Sequence, residues 1–142
     1  MTELYNTEIL RWTTRIPHQE RLVAADVTVT KTSRICGSRI SADAHLVLGR
    51  IKTFGWEVKA CALGQATAAI VGQHAIGLSE AELADIAARF RTMVQTGEAN
   101  FPEKWKELAL LAPVQDHPGR HGSVMLPFEV FEGIFAAAEK AE

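Results

Sequence analysis

Two cysteines, Cys36 and Cys61, are the residues here most suited to chemistry, and each stands at a place where chain direction changes. Cys36 lies in Ser33-Arg34-Ile35-Cys36-Gly37-Ser38, between two strand-like segments. Cys61 ends an alternating strand pattern and opens Ala62-Leu63-Gly64-Gln65-Ala66-Thr67-Ala68-Ala69, a run of small, helix-compatible residues. A thiol at a strand-to-helix junction faces the positive end of the helix dipole, which favours its thiolate. Thiolate is the form that ligates metal or attacks sulfur. A third stretch belongs with these two: Arg120-His121-Gly122-Ser123-Val124-Met125-Leu126-Pro127-Phe128. Ser123 is a natural helix N-cap at the start of an apolar helical pattern. His121, two positions earlier, carries an imidazole suited to zinc or iron and reads as a loop residue.

The elements that must position these groups follow from periodicity. Tyr5, Ile9, Trp12 and Ile16 share one helical face, which Pro17 should end. Residues 17–23 read as a loop, residues 24–30 as a first strand through Val27 and Val29, and Lys31 to Arg34 as a turn. Ile40, Ala42, Ala44, Leu46 and Leu48 alternate with Ser41, Asp43 and His45; the polar set reads as an exposed sheet surface. Gly49 suggests a turn, after which Phe54, Trp56, Val58 and Ala60 alternate with Gly55, Glu57 and Lys59. Three strands joined by short turns predict an antiparallel sheet with one buried face.

Beyond Cys61 the pattern is helical. Ala62 to Gln73 is rich in Ala and Gly, so this helix should pack close to its neighbour. Ser79 with Glu82 forms a capping box, and Leu83, Ile86, Ala87, Phe90 and Val94 mark the stripe of a helix ending near Gly97. Pro102 opens a short helix through Trp105, Leu108 and Leu111. Residues 112–122 read as an exposed loop, and Val124, Phe128, Phe131, Phe135 and Ala138 as a final helix. Trp12, Trp56 and Trp105 read as core or groove residues, and the Glu/Lys-rich segment near 103–107 as a solvated face. The order predicts one α+β domain over residues 1–142, with helices packed on one face of a three-stranded sheet.

Composition narrows the function. The chain has 142 residues, 47% hydrophobic, with a formal net charge of −2. That balance, with no basic stripe, argues against nucleic acid and anionic membrane as partners. No apolar run reaches the roughly 20 residues of a membrane span, and the opening Met1-Thr2-Glu3-Leu4-Tyr5 lacks signal-peptide character. Two cysteines then read as reduced thiols of a cytoplasmic protein. No phosphate loop, Ser/His/Asp order or carboxylate pair suggests another catalytic centre.

In several stretches the sequence resembles the NifU/IscU/SufU-type iron–sulfur cluster assembly scaffolds. Leu4-Tyr5 through Ile9-Leu10 is similar to the family's first helix. Cys36-Gly37-Ser38 stands where the family has Cys-Gly-Asp, and Trp56 through Ala69 where it has an aromatic residue, Gly-x-Gly-Cys and an Ala/Ser helix start. Phe90-x-x-Met93-Val94 followed by Gly97 is also similar. Pro118-x-Arg120-x-x-Ser123-x-x-Leu126-Pro127-Phe128 stands where the family has Pro-x-Arg-x-x-Cys-x-x-Leu-x-Trp. The spacing from Cys36 through Cys61 to Ser123 suits the SufU-type branch.

The resemblance implies a SufE/NifU-like fold and a scaffold or sulfur-accepting protein served by a cysteine desulfurase. Cys36 and Cys61 would be the persulfide acceptors and the ligands of a transient iron–sulfur cluster or zinc, with His121, Ser123 and Ser38 as further candidate metal ligands. The chain departs from the pattern at two ligand positions, where Ser38 replaces Asp and Ser123 replaces Cys, and it has Val58 and Ala60 where glycines are usual. Hydroxyls are poor substitutes for the thiolate, imidazole and carboxylate that hold zinc or iron. Two cysteines per chain suggest a homodimer supplying the four thiolates of a [2Fe–2S] cluster. Two other readings stay open: a regulatory or interaction module on the same fold that binds no metal, and a dithiol redox or sulfur-relay protein.

Overall fold

The computed structural model describes residues 4–35 and 37–141; Cys36 lies outside the described residues. Along the chain come helix α1 (Thr7–Trp12), strands β1 (Val27–Thr32), β2 (Arg39–Val47) and β3 (Arg50–Lys59), and helices α2 (Ala62–Gly72) and α3 (Glu80–Thr96). Two 3₁₀ segments follow, Glu103–Asp116 and Pro118–Arg120, and α4 (His121–Ala141) closes the order. The strands form an antiparallel sheet in the order β1-β2-β3. The expected α+β architecture, a three-stranded sheet with helices against one face, is therefore present.

The alternation in β2 has the predicted result on one side. Ile40, Ala42 and Ala44 are fully buried, and the large side chains of Trp56 and Phe54 on β3 meet Phe131 of α4, with ring centroids 5.7 and 4.9 Å apart. Trp56 and Trp105 are core residues, and Trp12 is half-buried with the Arg15 guanidinium 5.3 Å above its ring. Leu48 is a correction. It is 97% exposed with φ 53°, and with Gly49 (φ 76°) it forms the β2–β3 turn. A register shift between His45 and Leu46 breaks the alternation just before it. The first strand also starts later than expected, and it takes in Lys31 and Thr32.

On the other face, Thr28, Asp43 and Gly55 lie side by side across the sheet. Asp43 is 2% exposed, which corrects the expectation that it lies on an exposed sheet surface. The reason is a strap, residues 17–22, that crosses this face. Its start is pinned at β3, where Pro17 and His18 carbonyls accept from the Trp56 indole (2.8 Å) and backbone (2.9 Å) N–H groups. A Cβ on Gly55 would fall 2.0 Å from the Glu20 carbonyl oxygen, so only glycine lets the strap lie this close. Arg21 then donates from Nε (2.6 Å) and Nη2 (2.9 Å) to the Asp43 carboxylate, which also accepts from Leu22 N–H (3.0 Å) and Thr28 Oγ1 (2.7 Å). Four donors on one carboxylate are what a buried charge requires. The Arg21 bonds, with those of Thr28 and Leu22, outweigh burial and hold the Asp43 pKa down at about 2.

The helices show similar local control. Ser79 Oγ accepts from Glu82 N–H at 3.2 Å, as the capping box predicts, and α3 ends at Gly97 with φ 81°. The stretch 103–120 departs most from expectation. It is 3₁₀ helix almost throughout, not a short helix followed by an exposed loop. Trp105, Leu108, Leu111 and Val114 are buried at 0–1% exposure, and their spacing of three matches the three residues per turn that stack one face of a 3₁₀ helix. Among the described residues no helix is long and apolar enough to cross a membrane.

Candidate functional site

Cys61 follows the end of β3 and caps α2 in an extended conformation (φ −67°, ψ 169°), with no side-chain hydrogen bond to the helix. Its carbonyl accepts the first helical bond, from Gln65 N–H at 2.9 Å, while the Gln65 side-chain amide donates to the Ala60 carbonyl at 2.8 Å. These bonds fix the junction, and they aim the half-buried Sγ past the uncapped N-terminus of α2. The expected strand-to-helix placement of this thiol is observed.

Ser123 meets it from α4. It is not the N-cap expected from the sequence but the third residue of the helix, fully buried. The helix begins earlier because Pro118–Arg120 already turns as 3₁₀ helix and leads into it. Ser123 Oγ lies 3.2 Å from Cys61 Sγ and 3.2 Å from Ser38 Oγ. Ser38 is 3% exposed and opens the approach to β2. A thiol and two hydroxyls from three separate parts of the chain therefore form one hydrogen-bonded row.

Two glycines permit this approach. At Gly64 a Cβ would sit 2.6 Å from Ser123 Oγ and 3.1 Å from the Ser123 carbonyl oxygen. At Gly122 it would sit 2.8 Å from Ser33 Oγ. The start of α4 is thus wedged between α2 and the loop after β1. Pro127 contributes as well, because it has no N–H for the carbonyl four residues back, that of Ser123, and this carbonyl faces Gly64 instead. The loop itself is closed by Ser33 N–H to the Ser38 carbonyl (2.8 Å) and Gly37 N–H to the Ser33 carbonyl (2.9 Å), with Gly37 at φ 71°.

Of the candidate site residues, the structure brings Cys61, Ser123 and Ser38 together. His121 is placed differently: its Nε2 is bonded to the Val114 carbonyl at 2.9 Å, tying α4 to the 3₁₀ segment. Cys36 lies outside the described residues. The close packing expected of the Ala/Gly-rich α2 is observed at Gly64 against Ser123, whereas nothing in the sequence analysis anticipates the Arg21–Asp43 strap. A glycine one turn into a helix start, and another in the middle of a strand, were the signals that marked these close approaches.

The donor chemistry of the row is limited. Serine hydroxyls remain protonated near neutral pH, and among the described residues no group of three or more His, Cys, Asp or Glu is arranged to hold a metal ion. The described residues therefore do not fit a resident zinc held by one chain. What the row does offer is a half-exposed sulfur with a hydroxyl in hydrogen-bond range, at the positive end of a helix.

No known family profile matches the sequence, and no curated protein matches it. Solved structures do. A nitrogen-fixing NifU-like protein (N-terminal) from Brucella abortus is 27% identical, with a TM-score of 0.92 over 98% of this chain and 96% of that one. A protein assigned as an iron–sulfur cluster assembly scaffold of the SUF system, from Fervidobacterium islandicum AW-1, is 17% identical and shares the fold, with a TM-score of 0.82 over 93% and 96% of the two chains. Over nearly its whole length the chain is therefore similar to a NifU-like N-terminal domain and has its fold, which supports the resemblance to the NifU/IscU/SufU-type scaffolds.

Proposed function

We propose that this protein serves iron–sulfur cluster assembly as a scaffold-type, sulfur-accepting protein, with Cys61 and Cys36 as its working thiols. The observation that supports this most is the position of Cys61: half-buried at the sheet-to-helix junction of a NifU-like fold, with Ser123 Oγ 3.2 Å from its sulfur. In this reading a cysteine desulfurase presents a persulfide, and the Cys61 thiolate attacks its outer sulfur. The new S–S bond forms on Cys61, the donor's S–S bond breaks, and the donor cysteine leaves as thiolate, so no outside oxidant is needed. Ser123 donates a hydrogen bond to the sulfur at Cys61, and Ser38 orients Ser123. Both serines act as hydrogen-bonding groups rather than metal ligands.

The cluster is cargo in this scheme. Two thiols per chain supply half of the sulfur ligands of a [2Fe–2S] cluster, so a homodimer is the simplest carrier. The test is anaerobic incubation with a cysteine desulfurase and L-cysteine, followed by alkylation and peptide mass mapping. One added sulfur atom on Cys61 or Cys36, lost in the matching Cys→Ala variant, supports the proposal. Reconstitution with iron and sulfide, read by visible absorption and oligomer mass, reports on the cargo. Protein that takes up neither sulfane sulfur nor iron and sulfide overturns the proposal in favour of an interaction module that binds no metal.

A further inference from the structure

The arginines of this chain divide by position. Arg11 pairs with Glu8 at 2.8 Å, Arg21 with Asp43 at 2.6 Å, Arg89 with Asp85 at 3.0 Å and Arg91 with Glu132 at 2.8 Å. Arg50 donates to the Gly77 carbonyl at 2.9 Å, and Arg15 lies over the Trp12 ring. Arg34, Arg39 and Arg120 have no such partner among the described residues, and all three are exposed. They come from three different segments: the loop between β1 and β2, the first residue of β2, and the turn into α4. All three segments converge on the end of the sheet that carries Cys61.

Two further observations concern the same end. Arg39 is the direct cross-strand partner of Lys59, two residues before Cys61. Like charges opposed across strands cost stability, and the Glu57 carboxylate, 3.7 Å from Lys59, offsets this only in part. Ile35 is 77% exposed beside Arg34, and it lines a groove of about 460 Å³ with Asp116, His117, Pro118, Gly119 and Arg120. Arg34 precedes Ile35 in the chain and Arg120 shares its groove, which Asp116 borders on one side; an exposed apolar residue beside arginines has the make-up of a protein-binding surface, where Arg is enriched.

We infer that this end docks an acidic protein surface, with Arg34, Arg39 and Arg120 taking its carboxylates and Ile35 seated in an apolar site at its centre. The inference rests on the proposed function, in which a second protein must bring sulfur to Cys61. A compact acidic patch fits better than a nucleic acid, because the chain is net negative. A long polyanion running past the rim would meet the acidic remainder of the molecule.

The experiment measures binding of a purified cysteine desulfurase at about 50 and 300 mM salt. It compares the wild type, Arg34→Glu/Arg120→Glu, and the control Lys52→Glu/Lys140→Glu, which makes the same charge change elsewhere. The proposal expects the wild type and the control to bind alike and to weaken with salt. It expects the rim variant to bind on the order of 10-fold or more weaker, mostly through a slower association rate. Wild-type binding that ignores both salt and rim reversal overturns the docking surface and leaves the proposed function standing. The same holds for a 20-mer single-stranded DNA that binds the rim more tightly than the desulfurase does. Wild type that does not bind the desulfurase overturns the docking surface too; persulfide formation on Cys61 from a small-molecule persulfide donor then decides separately whether the sulfur-accepting function survives. Circular dichroism of the rim variant shows that it is folded.

Discussion

Replacing Asp43 with Asn isolates the ion pair that holds the strap across the sheet. In the folded protein Arg21, Thr28 and Leu22 hold the carboxyl at a pKa of about 2, against an ordinary 3.8. A carboxyl depressed on folding adds stability above its unfolded pKa, and that stability is lost as pH falls through the folded value. At about 1.4 kcal/mol per pKa unit, the lowering corresponds to roughly 2 kcal/mol at neutral pH. Asn keeps the shape and some of the hydrogen bonds but leaves Arg21 without its charged partner. Urea unfolding of the wild type and Asp43→Asn should therefore differ by about 2 kcal/mol or more at pH 7, and the gap should shrink by that amount between pH 4.5 and 2. Because Arg21 is exposed on one side, added salt should trim the gap without closing it. A gap that stays constant over that pH interval, or that is absent at pH 7, would refute the assignment of Asp43 as the charged anchor of the strap.

Other outcomes follow from the same contacts. Gly64→Ala, a change that normally favours a helix by about 1 kcal/mol, should instead destabilise by roughly 1–3 kcal/mol in thermal or urea unfolding, because the new methyl falls on Ser123. Leu48→Asn puts the residue preferred at the first position of a type I′ turn onto a 97% exposed site; unfolding should show a gain of about 0.5–1 kcal/mol. Ser123→Cys with Ser38→Asp places a thiolate and a carboxylate where hydroxyls now adjoin Cys61. Zinc retained after desalting should rise to about one equivalent per chain, from well below that in the wild type, as read by elemental analysis.

The 3₁₀ segment shows how much of the fold was legible and where reading failed. Trp105, Leu108 and Leu111 are recognisable from sequence as one buried face, but a spacing of three also fits a short α-helix. The two prolines that follow suggest a loop. Pro113 is in fact accommodated in the 3₁₀ run, and Val114 simply continues its face into the core. Asp43 failed for a different reason. Alternation correctly put it on the face opposite Ile40 and Ala42, but no local pattern says that a strap twenty residues earlier in the chain will return to cover that face.

The site divides along the same line. Cys61 could be placed from sequence because a strand pattern ending in small helical residues has few ways to fold, and the thiol is bound to stand at the junction. The likeness to NifU-type scaffolds was legible for the same reason, since motif order survives where overall identity is low. Ser123 was assigned a local role, as a cap, because sequence exposes only neighbours along the chain. Its contacts with Cys61 and Ser38 span 62 and 85 positions. Such contacts exist only once α4 is packed against α2, and that packing depends on the absence of one methyl group at Gly64. The amino-acid order by itself determined most of the elements, the sheet and the place of the Cys61 sulfur at the strand-to-helix junction. Tertiary packing alone decided which groups surround that sulfur, because the distances are set by close contact between elements whose proximity no periodicity encodes.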